Sequence, residues 1–189
     1  MAKSLLLLMA LMPLFCFGQI NFKLNGNGCF ESQDGKDYIV VNCEGKTAHE
    51  LYDIVRINVG KTFTSPKTVM SVVEDKSIAI LAITENFIAE STFLATENYK
   101  CDFNLQFDFK DGKIKVDAPA LGELKWFKSA IDLLKYGNEN SASVIISKKF
   151  FDKKGKPKKK KIKDIEKIEA CFNALLNALV AIPTASDDW

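Results

Sequence analysis

Apolar and polar residues alternate strictly along residues 102–118, and this pattern constrains the fold more than any other feature of the sequence. The apolar positions before the Asp111-Gly112 dipeptide are phenylalanine or leucine, and those after it are isoleucine, valine or alanine. Asp-Gly favours a two-residue type I′ turn between antiparallel strands. In that register Phe109 lies opposite Ile114, so that one face of the hairpin is apolar and the other is polar. The segment therefore predicts a β-hairpin in an antiparallel sheet that is covered on one side.

Residues 47–60 have the spacing of an amphipathic helix. Thr47 and Glu50 are placed as a capping box, in which the threonine side chain accepts an N–H of the first turn and the glutamate reaches back to the N-cap N–H. Gly60 is expected to end this helix in a left-handed conformation. The apolar residues that share one face are Ala48, Leu51, Tyr52, Val55 and Val59. We expect this face to pack on the sheet.

Further segments complete the predicted architecture. Strands are expected at 37–42, 68–73, 77–84 and 143–146, a second helix along Leu124, Phe127, Ile131 and Leu134, and a last helix ended by Pro183. The fold class is α+β, with a sheet of about five antiparallel strands and two or three helices on one face. The expected divisions are a signal peptide (1–18), a strand and turn segment (19–36), the α+β core (37–147), a lysine-rich loop (148–163), a C-terminal amphipathic helix (164–182) and an acidic tail (183–189).

Three stretches in this core together resemble a known family. They are Asp37-Tyr38-Ile39-Val40, Gly45-Lys46-Thr47 through Glu50-Leu51-Tyr52, and residues 107–114. The combination is similar to the domain of unknown function 4468 family, secreted bacterial proteins described as having a TATA-binding-protein-like fold. The resemblance covers residues 37–118 and implies a curved antiparallel sheet with helices on its convex side. It brings no catalytic residues, and it does not imply DNA binding, because function depends on sites rather than on folds.

Residues 1–18 have the pattern of a cleaved secretory signal peptide. A short positive region precedes the apolar stretch 5–17, which is too short to span a bilayer core of about 30 Å as a helix. Cys16 and Gly18 are the small residues that precede the expected cleavage after Gly18. A lipoprotein acylated on Cys16 is the alternative, which the large Phe15 disfavours. We expect a secreted or periplasmic protein with no transmembrane segment after signal cleavage.

Removal of the signal peptide also changes the cysteine count. Cys16 leaves with it, and the even number that remains permits two disulfides in an oxidising compartment, with three alternative connectivities. None of the spacings resembles the close pairs of a zinc site, and His49 is the one histidine of the chain, so no metal site is predicted. The disulfide candidates, whose pairing the sequence leaves open, are Cys29, Cys43, Cys101 and Cys171.

Catalytic motifs find little support in this sequence. His49 and Asp53 lie one helical turn apart and are the one carboxylate–histidine pair that local spacing offers, and the spacing favours an ordinary solvated helix face over a general base. There is no Gly-x-Ser-x-Gly elbow and no glycine-rich phosphate loop, and no cofactor is predicted. An extracytoplasmic hydrolase that uses acidic residues in the concavity of the sheet remains the alternative to a binding or structural domain.

The lysine-rich segment is the one unusual feature of charge. Residues 148–163 contain ten lysines and one acid, and without them the mature chain has 15 basic and 23 acidic residues. The segment therefore indicates docking on an anionic partner, such as an envelope component or an acidic protein, and its alternative is a solvated loop. Nucleic acid is not expected, because the segment contains no arginine. The candidate binding residues are Lys153, Lys154, Lys156, Lys158, Lys159, Lys160 and Lys161.

Overall fold

The computed structural model describes residues 20–91, 96–125 and 139–183. The strands in this part of the chain are β1 (Phe22–Leu24), β2 (Phe30–Ser32), β3 (Tyr38–Asn42), β4 (Met70–Val73), β5 (Ser77–Ser91), β6 (Thr96–Lys110), β7 (Lys113–Asp117) and β8 (Ala120–Lys125). The helices are α1 (Ala48–Thr62), α2 (Pro66–Val69), α3 (Ala142–Phe150) and α4 (Ile162–Val180), with a 3₁₀ turn at Lys159–Lys161 before α4. The predicted signal peptide lies outside the described residues.

The predicted hairpin lies in the middle of a six-stranded antiparallel sheet. Five strands follow the order β3-β7-β6-β5-β4, and the sixth, β8, pairs with β6. Strands β6 and β7 pair in the predicted register, with Phe109 opposite Ile114, so this prediction is confirmed. Strand β5 pairs with one edge of β6 along its length, and β7 and β8 share the other edge. The predicted α+β class with an antiparallel sheet is therefore confirmed.

Helices α1 and α4 cover one face of this sheet. The ring of Tyr52 in α1 meets the ring of Phe109 edge-on at 5.8 Å between centroids, and Phe172 in α4 meets Phe103 at 5.2 Å. The alternate residues of β6 that point to these helices are buried. The strict period of two in the sequence therefore corresponds to one face covered by α1 and α4 and one face on which none of the described helices packs.

Helix α1 confirms the predicted capping box, because the Thr47 side chain accepts the N–H of Glu50 and the Glu50 carboxylate accepts the N–H of Thr47. The predicted C-terminus is wrong, since Gly60 is helical and the helix runs to Thr62. The reason lies outside the local sequence. The buried Asn58 side chain donates to the carbonyls of Leu179 and Ala181, and this tertiary contact holds the last turn of α1 against the end of α4.

The N-terminal hairpin of β1 and β2 packs on α4 through main-chain hydrogen bonds. The N–H groups of Ile20, Phe22 and Leu24 donate to the side chains of α4 over 3.0, 2.8 and 2.8 Å. The acceptors follow one another at intervals of four residues and are Asn177, Asn173 and Glu169. These polar residues of α4 thus take the place of a neighbouring strand along β1.

Three further predictions of secondary structure are corrected. Leu124 belongs to strand β8 and lies opposite Cys101, so it does not begin a helix, and the other residues of that predicted helix lie outside the described part of the chain. Residues 143–146 are helical in α3 because the buried residues Ala142, Ile145, Ile146 and Phe150 recur at helical spacing. The last helix spans Ile162–Val180 instead of 164–182, and Lys148 and Lys149 belong to the end of α3.

The prediction of disulfides is not supported, because all four cysteines in the described residues are free thiols. Cys43 follows β3 and is buried, Cys101 is buried in the middle of β6, and Cys29 and Cys171 are exposed on a turn and on α4. Burial raises the pKa of Cys101 to about 12 and also raises the pKa of Cys43. The two buried thiols are therefore protonated at neutral pH and act as small apolar side chains.

Candidate functional site

The lysine segment, residues 153–161, begins as a tight turn that one carboxylate organises. The side chain of Asp152 accepts the N–H groups of Lys154 and Lys156 over 2.8 and 2.9 Å, and its own N–H donates to the Lys156 carbonyl. These main-chain N–H groups, first that of Lys156, lower the pKa of Asp152. Gly155 supplies the positive φ of 73° that the turn needs. These hydrogen bonds give the turn a defined main-chain conformation, while its lysine side chains are exposed to solvent.

The two ends of this turn are joined to the core. Phe151 and Pro157 form an antiparallel bridge, and the Lys158 N–H donates to the carbonyl of Phe150 over 2.8 Å. Phe150 and Phe151 are both buried. The buried pair of phenylalanines thus fixes the position from which the lysines project.

Two of the seven candidate lysines have structural roles. The ammonium group of Lys158 donates to the carbonyls of Lys148 and Lys149 over 2.7 and 3.2 Å, at the C-terminus of α3, where a positive charge is favourable. Lys161 pairs with Asp164 at 3.0 Å. The five that remain are exposed and form no salt bridge within the described chain, namely Lys153, Lys154, Lys156, Lys159 and Lys160.

The turn between β1 and β2 packs directly against the lysine segment. A Cβ on Gly26 would lie 2.6 Å from the Cα of Gly155, so only glycine allows the two turns to touch. The Ser147 hydroxyl donates to the carbonyl of Gly26 over 2.6 Å and ties the same turn to α3. The close approach explains the glycine in this position, for which the sequence alone offered only turn formation.

Three aspartates on the face of the sheet that none of the described helices covers are paired with lysines. Asp102 lies 2.9 Å from Lys125, and Lys115 lies between Asp108 at 3.6 Å and Asp117 at 2.7 Å. Each of these aspartates lies within salt-bridge distance of a lysine, and two of them share Lys115. In the part of the chain that the structure describes, this face of the sheet therefore gives no support to the alternative that the protein is a hydrolase.

The predicted pair of His49 and Asp53 is present, but the His49 ring also has a second carboxylate partner, Asp75, which lies closer to it than Asp53 does. His49 Nδ1 lies 2.7 Å from Asp75 Oδ1, and Nε2 lies 3.4 Å from Asp53 Oδ2. The hydrogen bond to Asp75 is the main cause that raises the pKa of His49, followed by its charge and that of Asp53. The ring is 62% exposed, so this arrangement links α1 to the turn between β4 and β5 on the surface.

Two hollows lie beside the sheet. The first is a cleft of about 400 Å³ at the place where β7 gives way to β8, and its lining includes Asp37, Asn104, Asp117 and Cys29. The second is an apolar groove of about 310 Å³ between β5 and α4. Sequence reasoning missed both, because their walls come from elements far apart in the chain.

No three His, Cys, Asp or Glu side chains of the described residues are placed to hold a metal ion. None of the described helices is long and apolar enough to cross a membrane.

Comparison with known proteins identifies relatives of the sheet region. Residues 38–121 match the family model described as "Domain of unknown function (DUF4468) with TBP-like fold". A DUF4468 family protein from Bacteroides ovatus ATCC 8483 is similar in structure, with a TM-score of 0.54 and 11% sequence identity over 91% of this chain and 94% of that chain. A TBP-like protein from Parabacteroides distasonis ATCC 8503 gives a TM-score of 0.44 and 9% identity over 77% of this chain and 92% of that chain. No curated protein matches the sequence. At 11% identity the likeness to the Bacteroides ovatus protein shows the fold alone.

Proposed function

Residues 38–121 belong to the DUF4468 family of domains of unknown function with TBP-like fold, as the resemblance predicted, and we propose that the protein is a non-catalytic binding domain of the cell envelope. In this proposal it docks on an anionic envelope component through the lysine segment. The segment and helices α3 and α4 lie outside the matched residues, so the docking surface belongs to this chain rather than to the family pattern.

One observation carries the proposal: five exposed lysines of the lysine segment form no salt bridge within the described chain. Cations that are concentrated on one edge of a protein attract anionic surfaces, and each lysine near such a surface contributes about 1 kcal/mol. Because Asp152, Gly155 and the buried phenylalanines already order the main chain, binding loses less conformational entropy than it would from a flexible loop.

The envelope location rests on residues 1–18, whose pattern predicts export. The export step is tested by expressing the full chain with a C-terminal tag and determining the N-terminus of the exported protein. A new N-terminus at Gln19 supports the proposal, and an intact N-terminus in the cytoplasmic fraction would contradict it.

Binding is tested with the mature protein and two matched variants. In the segment variant Lys153, Lys154, Lys156, Lys159 and Lys160 are changed to Gln. In the control variant five exposed lysines from other surfaces, Lys61, Lys67, Lys76, Lys110 and Lys113, are changed to Gln. Each variant loses five positive charges, so only the position of the lost charges distinguishes them.

We measure co-sedimentation with vesicles that contain phosphatidylglycerol and retention on an immobilised polyanion. The segment variant is expected to lose binding to both, and the control variant to keep most of it. Binding should fall steeply between 0.1 and 0.5 M salt, where the screening length drops from about 10 to about 4 Å. An equal loss in both variants, or binding that salt does not change, would refute docking through the lysine segment.

A further inference from the structure

The apolar groove lies where α4 crosses an irregular part of β5. The register between β5 and β6 shifts between Thr84 and Ile88, and a hollow of about 310 Å³ lies there between β5 and α4. That volume is at the lower end of the range for sites that bind small molecules. Its apolar walls are formed by Ile83, Phe87, Phe103, Ile168, Phe172 and Leu175.

The groove continues along α4 toward the lysine segment. A smaller hollow of about 40 Å³ shares Phe87, Lys167 and Ile168 with it and reaches Asp164, in the first turn of the helix. From Asp164 to Leu175 the helix rises about 16 Å at 1.5 Å per residue. This length is close to half the thickness of a bilayer core of about 30 Å, and half of that core is about the length of one acyl chain.

Positive charge is concentrated at the same end of the groove. Lys167 lies on its rim and Lys163 one helical turn earlier, both are exposed, and neither forms a salt bridge within the described residues. The acids beside the groove are already neutralised, because Glu85 lies 2.5 Å from Lys100 and Asp164 lies 3.0 Å from Lys161. The groove is therefore apolar along its length and cationic at its entrance.

We propose that the groove binds one acyl chain of an anionic lipid, whose headgroup lies on Lys163, Lys167 and the lysine segment. This inference rests on the proposed function and names its partner. An apolar trough requires a hydrocarbon occupant, and the cationic entrance selects a negative headgroup, so that an amphiphile with both parts satisfies the whole surface. Each methylene that enters the groove should tighten binding about fourfold.

The chain carries its own probes for this site. Cys171 lines the groove and is exposed, and Cys29, the second exposed thiol of the described residues, lines the separate cleft of about 400 Å³. We measure the alkylation rate of each thiol by peptide mass spectrometry on the mature protein. The ligands are hexyl, octyl and decyl phosphate below their micellar concentrations. Octyl glucoside serves as the neutral amphiphile of matched chain length.

Alkyl phosphates are expected to slow the alkylation of Cys171 and to leave Cys29 unchanged. The concentration for half-protection should fall about sixteenfold for each two carbons added. The double variant K163Q/K167Q should need at least tenfold more octyl phosphate, and its response to octyl glucoside should be unchanged. Both lysines are exposed, so this variant is expected to fold normally, which circular dichroism checks.

Three results would overturn the inference. Cys171 could keep its alkylation rate at saturating decyl phosphate, or its protection could be independent of chain length. It could also be unreactive without any amphiphile, which would mean that the groove is already covered by the chain itself or by a second copy. If vesicle binding through the lysine segment persists in any of these cases, the proposed function stands and the acyl site alone is wrong. If Cys171 is protected but the segment variant binds vesicles normally, the docking proposal is wrong instead.

Discussion

The contact between β1 and α4 predicts that Asn173→Ala destabilises the protein, although this side chain interrupts the apolar pattern of its helix. Asn173 Oδ1 accepts the N–H of Phe22 over 2.8 Å, and its Nδ2 donates to the Phe22 carbonyl over 2.9 Å. Phe22 is fully buried, so water cannot readily replace either bond. The substitution therefore leaves a main-chain donor and acceptor unsatisfied in the interior.

The size of the effect follows from these two bonds. Loss of each bond to a buried group costs about 1–3 kcal/mol. Alanine is the better helix former and returns roughly 0.5 kcal/mol. We therefore expect the free energy of unfolding to fall by about 1.5–5.5 kcal/mol, which lowers Tm by roughly 3–20 °C for a domain of this size.

The assay is urea unfolding of the mature protein followed by circular dichroism. The matched control is Glu166→Ala, an exposed position on α4, which should change the free energy of unfolding by less than about 0.5 kcal/mol. A second variant, Asn173→Asp, keeps an acceptor for the Phe22 N–H but loses the donor when it is ionised. Its loss relative to the native protein should shrink as the pH falls below about 4, where the carboxyl group can donate again.

Two results would refute this reasoning. If Asn173→Ala unfolds at the same urea concentration as the native protein, the ladder between β1 and α4 does not contribute to stability. If Glu166→Ala loses as much as Asn173→Ala, the effect belongs to the helix in general and not to the bonds with Phe22.

The elements that sequence predicts well are those whose cause is local. The register of β6 and β7 follows from the Asp111-Gly112 turn and a period of two, and the start of α1 follows from the Thr47 and Glu50 side chains. Each of these determinants lies within a few residues of the structure that it specifies. The family resemblance was visible for the same reason, because it rests on these stretches.

Where the sequence misled, the determinant lies far away in the chain. Glu169, Asn173 and Asn177 look like defects in an apolar helix, and their role becomes visible only when β1 lies beside them. Leu124 fits a helical and an extended pattern equally well, and pairing with Cys101 on β6 decides in favour of the strand.

The candidate site divides in the same way. Charge concentration in residues 148–163 is a property of composition, and the sequence showed it directly. The packing of the lysine segment on the turn between β1 and β2 brings Gly26 and Gly155 together, and the groove lies at a register shift in β5. Packing between distant segments produced both features, so neither could be predicted from composition or periodicity.

Three further predictions concern groups at the ends of elements. Asp75 raises the pKa of His49 in the folded state, so this pair stabilises the protein fully below pH 6.5 and loses its effect as the pH rises through the raised pKa. Asp75→Asn should therefore lower the pKa of His49 in an NMR titration. An unchanged pKa would contradict the contact. Burial raises the pKa of Glu169, so the ionisation of this side chain disfavours folding as the pH rises above 4.5. Glu169→Gln keeps the acceptor for the N–H of Leu24 in β1, so it should increase stability to urea at pH 7 and make that stability depend less on pH. A loss of stability in this variant would contradict this account. Gly26→Ala places a Cβ 2.6 Å from the main chain of the lysine segment and should cost about 1–3 kcal/mol in urea unfolding. Its control is Gly60→Ala, which meets nothing within 4 Å in an exposed part of α1 and should stabilise by about 0.5–1 kcal/mol. Because both substitutions add the same methyl group, a Gly26 variant as stable as the native protein would show that the two turns do not touch.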